Sequence, residues 1–224
     1  MSRGGRLSVV LAMFAVVVGL CVFTAMAFLR SNPATVDFTQ GHVAGQPVNL
    51  TVQTVGVIGT GVHPNWVSYL VLAPDGTWVH TTLWKLPPDT RINMTVDQYD
   101  SGSPLRNQEI GQIYGVAGNQ ATINGKATSL VDSNAGNGVG HTFSVPDLGI
   151  NVPLVGVDPN NPNDCSHPAP CTGTHNVIKF SFTTPGPGNY RFQCFIPCGL
   201  GFLYGNGGPM STIGFMGGFL EVTA

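Results

Sequence analysis

Charge is what this 224-residue chain has least of. Asp, Glu, Lys and Arg make up 9 % of it, against about 25 % in ordinary soluble proteins. Beyond Ser31 the only cations are Lys85, Arg91, Arg106, Lys126, Lys179 and Arg191, against eleven acidic residues. That segment is net acidic with no basic patch, which argues against nucleic acid as a partner. Enzyme motifs are missing as well: there is no Gly-x-Ser-x-Gly, no His-Glu-x-x-His and no phosphate-binding glycine loop. The carboxylates are sparse and do not cluster. Beyond the N-terminal apolar run no amphipathic helix of three turns is visible, which leaves a helical bundle without support. Disorder fails too, because hydrophobic residues are 42 % of the chain and spread along it.

What is present begins at the N-terminus. Leu7 to Leu29 holds no charge and is long enough to cross about 30 Å of hydrocarbon as a helix. Arg3 and Arg6 precede it, which puts the N-terminus in the cytoplasm and the rest outside. A cleaved signal peptide is the rival reading, since Ala25-Met-Ala27 fits a small-x-small cleavage site. Signal cores usually run about 7–15 residues, however, and this run is longer. A lipid anchor on Cys21 is disfavoured by bulky Leu20 before it. The expectation is a single-pass cell-membrane protein with its folded part on the extracytoplasmic side.

Residues 1–30 thus read as an anchor or signal, 31–47 as a linker and first edge, and 48–224 as one domain. Short strand-like runs fill that domain: 48–57, 66–73, 78–83, 91–98, 120–123, 141–145, 176–183, 189–194 and 218–222. Each is bounded by Gly, Pro, Asn or Asp. Ala73-Pro-Asp-Gly-Thr77 is a turn in which Pro presets φ and Gly accepts a positive one. The pattern predicts an all-β, Greek-key β-sandwich. Segments 107–140 and 158–174 read as surface insertions. Cys165 and Cys171 bracket Ser-His-Pro-Ala-Pro, and outside the cytoplasm a disulfide closing that loop is the expectation. A zinc knot using His167 and His175 is conceivable but has no further spacing behind it.

The chemistry gathers near the C-terminus. Tyr190-Arg-Phe-Gln-Cys194-Phe-Ile-Pro-Cys198 has one buried face, and Cys194 shares the inward parity of Tyr190 and Phe192. Met216 follows just before the last strand, and His141-Thr-Phe-Ser-Val lies upstream. Thiolate, thioether and imidazole are soft and borderline ligands that suit copper. The plainer readings are a Cys194–Cys198 disulfide, Met210 and Met216 as core fillers, and His141 as an ordinary strand residue. His42, His63, His80 and His175 have no partner at ligand spacing.

Gly-Asn-Tyr-Arg-Phe-Gln-Cys-x-x-x-Cys-Gly-Leu-Gly, followed by Met-x-Gly and a strand, resembles the cupredoxin domain of subunit II of haem–copper oxidases. It is more distantly similar to blue-copper proteins of the sulfocyanin and rusticyanin type. The resemblance spans residues 91–222. It implies a copper centre held by His141, Cys194, Cys198 and Met216, with the Ile196 carbonyl as a further donor. Phe202 stands where that family has its second histidine, and the segment 203–215 is longer than the family's link. One copper or two therefore stays open. The implied function is electron transfer by a membrane-anchored copper protein rather than an enzyme, with a cytochrome or terminal oxidase as redox partner. The alternatives are a metal-free structural or interaction module closed by a Cys194–Cys198 disulfide, and a Cu(I) chaperone.

Overall fold

The computed structural model describes residues 3–25, 33–61, 63–160, 163–165, 170–198 and 208–224. The chain divides into two compact units, one up to Pro33 and one from Ala34 onward. In the first, Arg3–Thr24 is a helix, α1. Apolar side chains lie on all its sides, so it has no polar face to turn to water. Gly4–Thr24 is long and apolar enough to cross a membrane, a test that a signal sequence near the N-terminus also passes.

The second unit is a sandwich of two mixed sheets. One sheet runs, in spatial order, β1 (Thr35–Asp37), β5 (Leu83–Leu86), β15 (Gly217–Val222), β14 (Gly188–Gln193), β9 (Val139–Val145) and β10 (Ile150–Val155). The other runs β4 (Trp78–His80), β3 (Ser68–Leu72), β2 (Val48–Val55), β6 (Arg91–Gln98), β13 (Asn176–Thr183), β7 (Ala121–Ile123) and β8 (Lys126–Thr128). The chain crosses repeatedly between sheets, so strands far apart in sequence become neighbours, as in β2 beside β6 and β15 beside β5. This is the all-β Greek-key arrangement that the strand pattern predicts. A small ribbon, β11 (Asn163–Asp164) with β12 (Thr172–Gly173), lies outside both sheets. Cys165 and Cys171 beside it are joined by a disulfide.

Alternation explains which side of each strand faces in. Ile92, Met94, Val96 and Gln98 of β6 are buried, and so are Ile178, Phe180 and Phe182 of β13. Trp84 of β5 stacks on Phe192 of β14 with ring centroids 4.6 Å apart, and Phe143 of β9 lies at 5.3 Å from Phe192. All three rings are fully buried, and each contributes roughly 1.5–3 kcal/mol of burial.

Two departures from the sequence reading have local causes. Residues 78–83, read as one strand, are two: β4 stays in the second sheet while β5 crosses to the first. The switch falls at Thr81 and Thr82, whose hydroxyls bond to the carbonyls of Ala34 and Gly217. Within the insertion 107–140 the run read at 120–123 is β7, and a strand not read, β8, follows it because Asn124-Gly125, both at positive φ, turn the chain back at the sheet edge.

Candidate metal centre

The site is built where β14 leaves its sheet. β14 and β9 are paired only at Gln193 and Ser144. One residue on, the chain turns away and Cys194 drops between the sheet ends, fully buried as the parity of Phe192 predicts. The Cys194 amide donates to the carbonyls of both Met210 and Met216, each at 3.1 Å. The two segments that carry the candidate donors are thereby tied together through their backbones.

Around the sulfur the backbone supplies donors. The amides of Ile196 and Thr142 reach Cys194 Sγ at 3.3 and 3.5 Å. Phe195 N donates to Thr142 Oγ1 at 2.9 Å, locking the turn onto β9. His141, also on β9, brings Nδ1 to 3.7 Å from Cys194 Sγ. Its other nitrogen, Nε2, lies 2.8 Å from Asp100 Oδ2. Among the described residues, His141, Cys194 and Cys198 form a group whose ligand atoms all lie within 4.8 Å of one another. Both cysteines are free thiols.

The remaining sequence candidates fall around this trio. Met216 is fully buried immediately before β15, its amide held by the Pro209 carbonyl at 2.9 Å. The Ile196 carbonyl lies 3.5 Å from Cys194 Sγ. Met210 is partly buried against the core. Phe202 and His167 lie outside the described residues. Three of the other histidines are engaged elsewhere. His63 stacks on Trp66 with centroids 3.8 Å apart, His80 Nε2 bonds to Ser68 Oγ at 2.8 Å, and His175 stacks on Tyr99 at 4.6 Å.

The three groups of the trio are pushed in different directions by one another and by burial. Burial pushes the Cys194 thiol up, but hydrogen bonds from Cys198 and His141 outweigh it and hold the group well below the usual thiol range. Cys198 is held up, by its own hydrogen bond to Cys194 and then by burial. Burial pulls His141 down, yet the bonds to Asp100 and Cys194 raise it to about 9. Thiolate and neutral imidazole are donors for a soft or borderline cation, and binding one there would release the proton that His141 Nδ1 shares with Cys194. The carboxylate on the far nitrogen is the arrangement that orients a metal-ligating histidine. The residues present fit copper.

Sequence reasoning missed two groups. Asp100 lies two residues past Gln98 on the inward parity of β6, and that parity was the signal that finds it. Tyr69 of β3 had none. It is fully buried, its amide bonds to the Phe215 carbonyl at 3.2 Å, and its hydroxyl has no hydrogen-bond partner in the structure. Burial, then the charges of Cys194 and Cys198, push its phenol well above its ordinary value.

No protein-family model matches the chain, and neither does any curated protein sequence. Among solved structures, it aligns with a heme-copper terminal oxidase over 100 % of both chains, at 11 % identity and a TM-score of 0.30. It aligns with the copper protein rusticyanin over 91 % of this chain and 94 % of that one, at 16 % identity and a TM-score of 0.33. Rusticyanin from Thiobacillus ferrooxidans aligns over 84 % of this chain and 82 % of its own, at 17 % identity and a TM-score of 0.30. The domain is an all-β sandwich of two mixed sheets, with the His141, Cys194 and Cys198 group at one end of its strands.

Proposed function

We propose that this is a membrane-anchored, extracytoplasmic copper protein that passes single electrons to or from a cytochrome or terminal oxidase. The observation that carries this reading is the buried trio of His141, Cys194 and Cys198 at one end of the sandwich. Met216 and the Ile196 carbonyl stand as the further donors. Copper held there would supply one-electron chemistry by cycling between Cu(I) and Cu(II).

The chain's own residues do the rest. Backbone amides of Thr142 and Ile196 fix the Cys194 sulfur from two sides, and the β9 strand fixes His141. Donors on strand ends and amide-tied turns move little, so little rearrangement would accompany a change of charge. Phe143, Phe192 and Leu220, all fully buried, belong to the same apolar core as Cys194 and Cys198. Helix α1, with Arg3 and Arg6 ahead of its uncharged run, supports anchoring with the domain outside.

The test is to load the purified full chain with Cu(II) and record its visible and paramagnetic resonance spectra beside a thiol count. An intense thiolate-to-copper band with a Cu(II) signal supports the electron carrier. Tight Cu(I) binding without that band would replace it by a chaperone. No uptake and a Cys194–Cys198 disulfide would replace it by a metal-free structural module.

A further inference from the structure

Among the described residues, the titratable side chain bonded to His141 on the side away from the thiols is Asp100, and the fold goes to some length to put it there. The residue lies two positions past the end of β6, on its inward parity. Its carbonyl accepts from Gln98 Nε2 at 3.1 Å and from the Val157 amide at 3.0 Å. Gln98, fully buried, is itself held by the Thr54 hydroxyl of the neighbouring strand. One carboxylate oxygen accepts from the Ser101 amide at 2.8 Å, and the other is left for His141 Nε2. Both oxygens are therefore directed.

Glycines clear the ground for this. A Cβ on Gly56 would come to 2.8 Å from Asp100 Oδ1. A Cβ on Gly140 would come to 2.7 Å from both Gln98 Nε2 and the Ser101 carbonyl. One on Gly102 would sit 2.5 Å from the Asn137 carbonyl. Such contacts are closer than side-chain carbons tolerate, so the loop carrying Asp100 can lie on the start of β9 only with glycine at these places. Asp100 also lines a cleft of about 290 Å³ together with His141, Cys198, Ser101, Ser103 and Asn65. The carboxylate is part-exposed at the cleft wall, whereas the imidazole beneath it is buried.

An imidazole has two nitrogens and can turn about its own bond, so burial alone leaves open which one meets a metal. We infer that Asp100 is a positioning residue for the centre: by taking the Nε2 proton of His141 in a directed hydrogen bond, it holds Nδ1 toward Cys194 as the ligating atom. This rests on the copper reading above for its purpose, and on the geometry alone for the orientation of the ring. Carboxylate partners of metal-bound histidines typically affect affinity by about 10–100-fold.

The experiment uses the full chain in detergent, with Asp100→Ala, Asp100→Asn and Gly56→Ala. In metal-free protein, nitrogen-15 NMR follows the His141 Nε2–H. Cu(I) affinity is measured by competition with a chromophoric chelator, the Cu(II)/Cu(I) potential by redox titration, and melting temperature without metal. Asp100→Ala is expected to lose the slowly exchanging Nε2–H signal, to weaken Cu(I) about 10–100-fold and to move the potential. Its metal-free melting temperature should change little. Asp100→Asn, which still offers an acceptor, should keep the signal and recover most of the affinity. Gly56→Ala, which displaces the carboxylate without removing it, should fall between. The inference is overturned if Asp100→Ala keeps both the signal and the parental affinity. It is equally overturned if the losses across the three variants simply track melting temperature. A parent that binds no copper, but whose Nε2–H signal disappears in Asp100→Ala, would sink the copper reading and leave the orienting contact standing.

Discussion

The sulfur of Cys194 lies 3.7 Å from Nδ1 of His141, although 53 residues separate them in the chain. The contact joins two strands of one sheet at the point where their pairing ends. Beyond Gln193 the sulfur takes the place of the next ladder partner, accepting the Thr142 amide. The candidate centre thus occupies a break in the sheet rather than a pocket on its face.

Free thiols at Cys194 and Cys198 give a countable outcome. With Cys165 and Cys171 joined and Cys21 free, unfolded but unreduced protein should titrate for Cys21, Cys194 and Cys198. Reduction should add only the disulfide pair. A titration that finds Cys21 alone before reduction would mean that the two central cysteines are oxidised to each other.

The two thiols should not be equivalent. Cys194 Sγ is held by two amides and faces His141, while Cys198 lies at the cleft. Cys194→Ser is expected to abolish the thiolate–copper absorption. Cys198→Ser should leave a single-thiolate band with weaker copper retention. Visible spectra of the loaded variants decide it, and equal effects would show that the sulfurs share the metal symmetrically.

Phe202→His should raise copper affinity and move the spectrum toward a thiolate-bridged pair of coppers, if position 202 holds the place of the family's second histidine. Position 202 lies outside the described residues, so the variant tests the resemblance by itself. A folded variant with parental affinity would show that the segment 203–215 carries residue 202 away from the metal.

Tyr69 carries a buried hydroxyl with no partner, and such a group usually costs about 1–3 kcal/mol. Removing it while keeping the ring, as in Tyr69→Phe, should therefore leave metal-free stability unchanged or raise it by about 1 kcal/mol. Chemical denaturation measures this. A clear loss would mean that the hydroxyl is satisfied, by water or by the metal site, in solution.

Acid should weaken the β1 edge through Asp37. Its carboxylate accepts from the Thr39 amide and hydroxyl at 2.9 and 2.6 Å, and Lys85 Nζ lies 3.8 Å away. Burial pushes this carboxyl up, but the Thr39 and Gln40 bonds and Lys85 outweigh it and hold it below the usual value. A folded value below the unfolded one adds stability that is complete above roughly pH 4 and is lost as pH falls through the folded value. Asp37→Asn should cost about 0.5–1.5 kcal/mol at neutral pH and flatten the acid side of the stability curve. An unchanged acid limb in the variant would assign that limb to other groups.

Much of the scaffold was readable in one dimension. The runs 91–98 and 176–183 are β6 and β13 to the residue, because each alternates one apolar face over eight positions with turn residues at both ends. The inward placing of Cys194 also followed from parity, which survives any fold that buries Phe192. The break between β4 and β5 was not readable, because Thr81 and Thr82 are good strand residues and only their bonds to Ala34 and Gly217 across the sheets part the run. Which of the six histidines meets the thiols was likewise a matter of topology. His63 and His80 pack around Phe215, beside Met216, yet their rings are occupied by Trp66 and Ser68. Asp100 sat unremarked at the end of a correctly read strand. Local pattern sets the period of each strand and the side it buries. Which strand ends converge is decided by the long-range pairing of sheets, and that pairing alone brings residues 100, 141 and 194 to one place.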